Sequence, residues 1–244
     1  MVGVVVIAIV VVGALFATAL VARTSTSSTS IEGTPLSYDT FYPPAVSALG
    51  SAEDGPWTPI AVLAIGTSES ISGTAGASGV GAGGSCSSVW SYSGPVTFPA
   101  TPIGAPVGEV SAWFLVSRDS ANDLLITLVA NTTGAVLATN LEIGPQSCLT
   151  GAAGYGTLTG TYVNSINAAA AVNSVGGSAF LASNPGATVE LGIFNMSGLT
   201  LWAVIYSTCQ YTATGGTGNE FLGAVGATNG TLVDHESESD VPCS

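Results

Sequence analysis

The chain has 244 residues, 47% of them apolar and only 7% charged, and its formal net charge is −13, with Arg23 and Arg118 as its only basic side chains apart from one histidine. Such a balance supplies no electrostatic footprint for nucleic acid and excludes it as an expected partner. The apolar content also excludes a disordered acidic chain and allows a substantial core, so Ser, Thr, Asn, Gly or glycan must keep the surface wet.

Met1–Ala22 (MVGVVVIAIVVVGALFATALVA) contains no charge and no proline. As a helix it would be about 33 Å long, enough to cross the hydrocarbon of a bilayer. Apolar residues lie all around that helix, so every face must be buried in lipid or in protein. Three readings compete: a secretory signal, a membrane anchor and a helix buried in an assembly. A secretory signal begins with a basic region, and no Lys or Arg precedes the small-residue site Ala17-Thr18-Ala19. For a simple anchor, Arg23 follows the helix, and the positive-inside rule would leave the remaining domain in the cytoplasm. Against that stand Cys86, Cys148, Cys209 and Cys243, an even number, and N-x-[ST] sequons at Asn131, Asn195 and Asn229. Both features fit an extracytoplasmic domain. A short basic leader, removed before assembly, reconciles the two. Gly3, Ala8, Gly13, Ala14, Ala17 and Ala19 would let helices approach closely, and Gly13 with Ala17 makes a small-xxx-small pair.

A start that runs directly into an apolar Val/Ile/Ala/Gly-rich helix, then a Ser/Thr tract, then a β-rich domain resembles the type IV pilin superfamily, most of all its archaeal adhesion pilins and archaellins. The resemblance spans Met1 to about Ser30 and is one of layout and composition. Bacterial members carry glutamate at the fifth position; Val5 here favours the archaeal branch. The resemblance implies a leader peptidase, a membrane-inserted subunit before assembly, and a filament core of bundled helices. Gly3, Val5, Val11, Gly13 and Ala17 then belong to the assembly helix, and the main partner is the chain itself in a helical homopolymer.

Residues 1–23 thus read as a hydrophobic filament-core or membrane helix and 24–30, TSTSSTS, as a Ser/Thr hinge that can also carry O-glycans. The remainder, 31–244, reads as one extracellular β-rich head. Its first stretch, Ile31 to about Gly55, is punctuated by Pro43-Pro44 and reads as irregular, with Tyr38, Phe41 and Tyr42 docking it on the domain. Ser72–Ser88 is Gly/Ser-rich and reads as a long loop. Strands are predicted over Pro59–Thr67, Glu109–Ser117, Asp123–Ala130, Ala135–Ile143, Gly156–Val163, Ala187–Asn195 and Leu199–Ser207, all rich in β-branched and aromatic residues. Val189, Leu191 and Ile193 alternate with Thr188, Glu190 and Gly192, the period-two pattern of a half-buried strand. Asn131–Gly134 and Met196–Gly198 read as hairpin connections. Asn167–Val172 is the one helical turn expected. Short strands without βαβ units predict a mainly β fold: a long N-terminal hydrophobic α-helix followed by one antiparallel β-sandwich-like head.

No catalytic, cofactor or metal constellation is expected. His235, in the acidic run VDHESESD, reads as a solvated tail residue, and no Gly-x-Ser-x-Gly elbow is present. Asp234, Glu236, Glu238 and Asp240 would share one face of an extended strand and could hold Ca²⁺, yet the EF-hand pattern is missing and a solvated acidic end is the plainer reading. The cysteines form no C-x-x-C pair, so disulfides are their expected use. Of three connectivities, Cys86 with Cys148 and Cys209 with Cys243 would tie down the Gly-rich loop and the tail. Asn131 and Asn195 fall at predicted turns and Asn229 in a polar stretch, which makes all three candidate glycan sites. The expected function is a non-enzymatic pilin-like subunit of a cell-surface filament, serving adhesion to an unknown surface or glycan receptor. An archaellin-type motility subunit and a single-pass, membrane-anchored binding protein are the alternatives.

Overall fold

The structure, a computed structural model, describes residues 33–52, 55–66, 69–71, 75–76, 89–90, 96–98, 101–102, 104–131, 136–145, 154–209 and 216–243. Helix α1 (Tyr38–Leu49) comes first, then strands β1 (Thr58–Ile65), β2 (Glu69–Ile71), β3 (Ala75–Gly76), β4 (Val89–Trp90) and β5 (Val96–Phe98). Next come β6 (Ala112–Arg118), β7 (Asp123–Asn131), β8 (Val136–Pro145) and β9 (Tyr155–Gly156). Helix α2 (Ser165–Val172) runs through a kink at Asn173–Gly177, where Gly176 leaves helical geometry (φ 143°), into α3 (Ser178–Ser183). Strands β10 (Thr188–Met196), β11 (Leu199–Ser207), β12 (Gly216–Gly226) and β13 (Leu232–Cys243) complete the described chain.

One nine-stranded antiparallel sheet dominates, in the order β13-β12-β11-β10-β1-β6-β7-β8, with β9 paired to β10. Two small ribbons, β2-β5 and β3-β4, are not hydrogen-bonded into it, and β4 lies against β8. This corrects the expected sandwich. Helices, not a second sheet, form the second layer: α1 lies over β7 and β8, and α2 over β11, β12 and β13. A sheet face covered in this way needs no partner sheet. The long hydrophobic helix expected over 1–23, with Gly3, Val5, Val11, Gly13 and Ala17, lies outside the described residues, as does the hinge 24–30. Among the described residues α1, with 12 residues, is the longest helix, and no helix is long and apolar enough to cross a membrane.

Helix α1 forms where an irregular segment was expected. Tyr38, Phe41, Ala45 and Leu49 recur at helical spacing and are buried, so apolar burial outweighs the two amide hydrogens lost at Pro43 and Pro44. Two tryptophans at the centre of the sheet, both fully buried, organise the helix layer. Phe41 stacks on Trp113 with ring centroids 5.1 Å apart, and Tyr38 meets Trp202 edge-on at 5.4 Å. Each indole also donates a hydrogen bond to the chain entering a helix: Trp113 Nε1 to Leu36 O (2.8 Å) and Trp202 Nε1 to Val163 O (3.0 Å). These bonds satisfy the polar end of a large apolar ring.

Helix α2 is capped by Asn164, whose side chain accepts from Ile166 N, and it buries Ser165, Ala168, Ala169 and Val172. It approaches β12 closely because Gly223 has no side chain. A Cβ there would lie 2.2 Å from Val172 Cγ2.

Val189, Leu191 and Ile193 of β10 do share the helix-covered face. The opposite face is not simply solvated, however, since Leu63, Phe114, Val116, Ile126 and Phe194 are buried there as well. Strands β6 and β7 are accordingly near-continuous apolar runs. The β10–β11 hairpin closes on Ser197 (φ 53°) and Gly198 (φ 82°), a two-residue turn of the primed kind that matches strand twist. The strand expected over Gly156–Val163 reduces to the two residues of β9. Leu158 N instead bonds Pro59 O, and Val163 N bonds Ala227 O.

Candidate functional site

The three sequons occupy different environments. Asn131 ends β7 rather than sitting in a turn, and it is only 9% exposed, with its carbonyl accepting Thr34 N. A glycan on that amide would require the side chain to leave the core. Asn195 is tucked over β9: its Nδ2 donates to Thr157 O (3.0 Å), and its Oδ1 is buried with no hydrogen-bond partner. Gly156 makes this close approach possible, since a Cβ there would stand 3.0 Å from the Asn195 amide. Asn229 alone lies exposed in the β12–β13 turn, where its Oδ1 accepts Thr231 N (3.0 Å) and Thr231 is itself exposed. The structure therefore favours Asn229, the sequon expected in a polar stretch, over the two expected at turns.

Cys209 is disulfide-bonded. Its sulfur lies 4.0 Å from Val241 O, two residues before Cys243 at the end of β13. Gly218 leaves room for it, because a Cβ there would be 2.8 Å from the Cys209 sulfur. Cys86 and Cys148 lie outside the described residues. Beside the disulfide, Cys209 N donates to Ser207 Oγ (3.0 Å), which donates to Glu220 Oε1 (2.9 Å). Burial raises the pKa of Glu220; the Ser207 bond opposes that shift and the Glu238 carboxylate reinforces it.

The acidic tail is not a loose end. It forms β13, an edge of the sheet, with Asp234 opposite Ala224, Glu236 opposite Leu222 and Glu238 opposite Glu220. Alternation fails at Asp240, where a bulge between Glu238 and Val241 puts the backbone at φ 58°. The shared face expected for four carboxylates therefore breaks at the fourth. Among the described residues no group of three or more His, Cys, Asp or Glu side chains is arranged to hold a metal ion. His235 points its ring toward Phe221 at 6.0 Å, and its backbone N bonds Asp234 Oδ1. Charged side chains and bulges on an edge strand oppose pairing with a foreign strand, which gives the acidic run a structural use.

A cleft of about 240 Å³ opens at the end of β1, between residues 101–109 and 181–189. Three closed turns build it. Ala105 N bonds Pro102 O, Glu109 N bonds Pro106 O, and Ala187 N bonds Asn184 O. The first two turns carry Gly104 (φ 85°) and Gly108 (φ 97°) at the third position, where a type II turn demands positive φ. Gly108 is doubly constrained, since a Cβ would lie 2.6 Å from Ile166 Cα. Tandem Pro-x-Gly at Pro102 and Pro106 is the sequence signal for these turns, although it does not by itself mark a cleft. Pro102, Pro106, Val107, Leu181, Pro185 and Val189 supply apolar walls, and among the described residues Glu109 is the one charged residue in the lining.

Comparison with protein-family models and with curated proteins finds no match. A solved structure of a candidate lipoprotein from Clostridium difficile 630 is similar over 52% of this chain and 73% of its own, at 18% identity and a TM-score of 0.32. A likeness that weak carries no argument about fold or function.

Proposed function

We propose that the chain is the structural subunit of an extracellular type IV pilus-like filament, inserted in the membrane before assembly and polymerised through the apolar segment Met1–Ala22. The head then coats the fibre and serves adhesion. The observation that carries this reading is the joint between segment and head. After the apolar segment and residues 23–32, the chain is bound at once to the centre of the sheet: Gly33 O accepts Ser111 Oγ (2.9 Å), Leu36 exchanges backbone bonds with Val110, and Leu36 O accepts Trp113 Nε1. In this reading the head is held from Gly33 onward, and residues 23–32 link it to the polymerising segment. A disulfide at Cys209 suits an oxidising, extracytoplasmic setting. The low charge and the exposed Asn229 suit a surface wetted by hydroxyls and glycan.

Negative-stain microscopy of native material tests the proposal. Fibres are expected, and single particles anchored in membrane would replace the filament reading with that of a monomeric surface protein. Swimming that stops when the chain is deleted, with attachment to surfaces retained, would assign the fibre to motility instead of adhesion.

A further inference from the structure

We propose that the cleft walled by residues 101–109 and 181–189 binds a small organic cation, a protonated amine on a short apolar body. Its shape is preformed, because closed turns at Pro102–Ala105, Pro106–Glu109 and Asn184–Ala187 frame it and two of them are set by glycines at positive φ. A cleft built in advance spends little of a ligand's binding energy on ordering the protein. Proline, valine and leucine walls exclude polar ligands without a matching group and favour a compact apolar one. At about 240 Å³, the space equals roughly eight water molecules at liquid density, the size of a single substituted ring.

Charge selects the second half of the ligand. Among the described residues Glu109 is the only charged one in the lining, and it is half-buried. The chain has two arginines and no lysine to neutralise it. Arg118 pairs with Thr58 at the far end of β1, roughly 26 Å from the cleft at Gly66 by strand rise, and Arg23 lies outside the described residues. His235 is on β13, separated from β1 by β10, β11 and β12. No described side chain of the head thus brings a cation to Glu109, and a ligand ammonium would. An anion would meet repulsion from the carboxylate, whereas a neutral ligand would gain nothing from it. The proposal stands apart from filament assembly, since the cleft belongs entirely to the head.

The test is fluorine NMR on the full chain in detergent micelles, with empty micelles as the blank and para-fluorobenzylamine and para-fluorobenzyl alcohol as probes. The amine is expected to bind saturably and about tenfold more tightly than the alcohol, the worth of one charge-assisted hydrogen bond. Glu109→Gln should erase that preference. Gly186→Leu should weaken both probes, because Gly186 is a lining residue whose Cβ position is unoccupied and a bulky side chain there narrows the cleft. Glu236→Gln on the edge strand should change nothing. Melting curves confirm that each variant is folded, and if Gly186→Leu is not, the Glu109→Gln comparison decides alone. Equal binding of amine and alcohol, no saturable binding, amine binding unchanged in Glu109→Gln, or amine binding lost in Glu236→Gln would each overturn the site.

Discussion

Asn131, Asn195 and Asn229 carry the same tripeptide signal, and burial separates them. An oligosaccharide needs an amide that projects into solvent, and among the three only Asn229 sits in an exposed turn with an exposed hydroxyl residue at Thr231. Peptide mapping of native material is expected to find glycan on Asn229 and none on Asn131, and Asn229→Gln should lower the intact mass by that glycan. An unmodified Asn229 beside a modified Asn131 would mean that the β7 end opens in the mature protein. Motif position alone could not rank these sites, because the end of a buried strand and an exposed turn both follow an apolar run.

At the scale of elements, helix α2 and edge strand β13 show how neighbours set the rules. Gly223 is required by the approach of α2, so Gly223→Ala forces a methyl into Val172 and should destabilise the head by about 1–3 kcal/mol, read from chemical denaturation. A stability unchanged within error would mean that α2 moves freely over β12. Glu220 offers a pH prediction. Its pKa is raised in the folded state, chiefly by burial, so folding holds its proton more tightly than the unfolded chain does. The associated stability is fully present below the ordinary carboxylate range and is lost as pH rises through the raised value. Glu220→Gln keeps an acceptor for Ser207 and avoids the buried charge. It should therefore raise neutral-pH stability, by less than about 1 kcal/mol because solvent screens a half-buried group, and flatten the acid side of the stability profile. A steeper profile in that variant would refute the assignment.

For the whole molecule, the tests concern assembly and crosslinking. Val11→Asp would place an unpaired carboxylate in an apolar core, at a cost of several kcal/mol by order of magnitude. The expected result is loss of fibres by electron microscopy with head folding unchanged by circular dichroism; normal fibres would remove Met1–Ala22 from the filament core. Cys209 is crosslinked, and removing a native disulfide costs about 2–5 kcal/mol in small secreted domains. Reduction should consequently lower the melting temperature of the head, and a melting temperature indifferent to reductant would show that the crosslink adds nothing beyond the packed sheet.

Local pattern was enough for some elements and not for others. Strand β11 occupies Leu199–Ser207 as its β-branched and aromatic run indicates, and β10 with its two-residue turn follows from the alternation of Val189, Leu191 and Ile193 and from Met196-Ser197-Gly198, because strand pattern and turn chemistry are properties of neighbouring residues. Helix α1 was hidden by Pro43-Pro44, whose local cost is outweighed only once Phe41 meets Trp113 from another part of the chain. Strands β12 and β13 were hidden by glycines and carboxylates that look unfavourable alone; Gly223 and Gly218 prove to be the places where Val172 and Cys209 pack. The choice between a sandwich and a helix-covered sheet rested on the same non-local contacts. So did the cleft, whose two walls lie some eighty residues apart in sequence, since closure of both the β1–β6 and the β1–β10 pairings brings Gly66, Glu109 and Pro185 to one end of the sheet. Sequence alone determined the apolar first segment, the want of basic charge and the β-rich class, because those are read from neighbouring residues or summed over the chain. Which asparagine is exposed, which carboxylate is buried and which loops enclose a cavity were decided by tertiary structure, because each depends on what a distant segment places beside it.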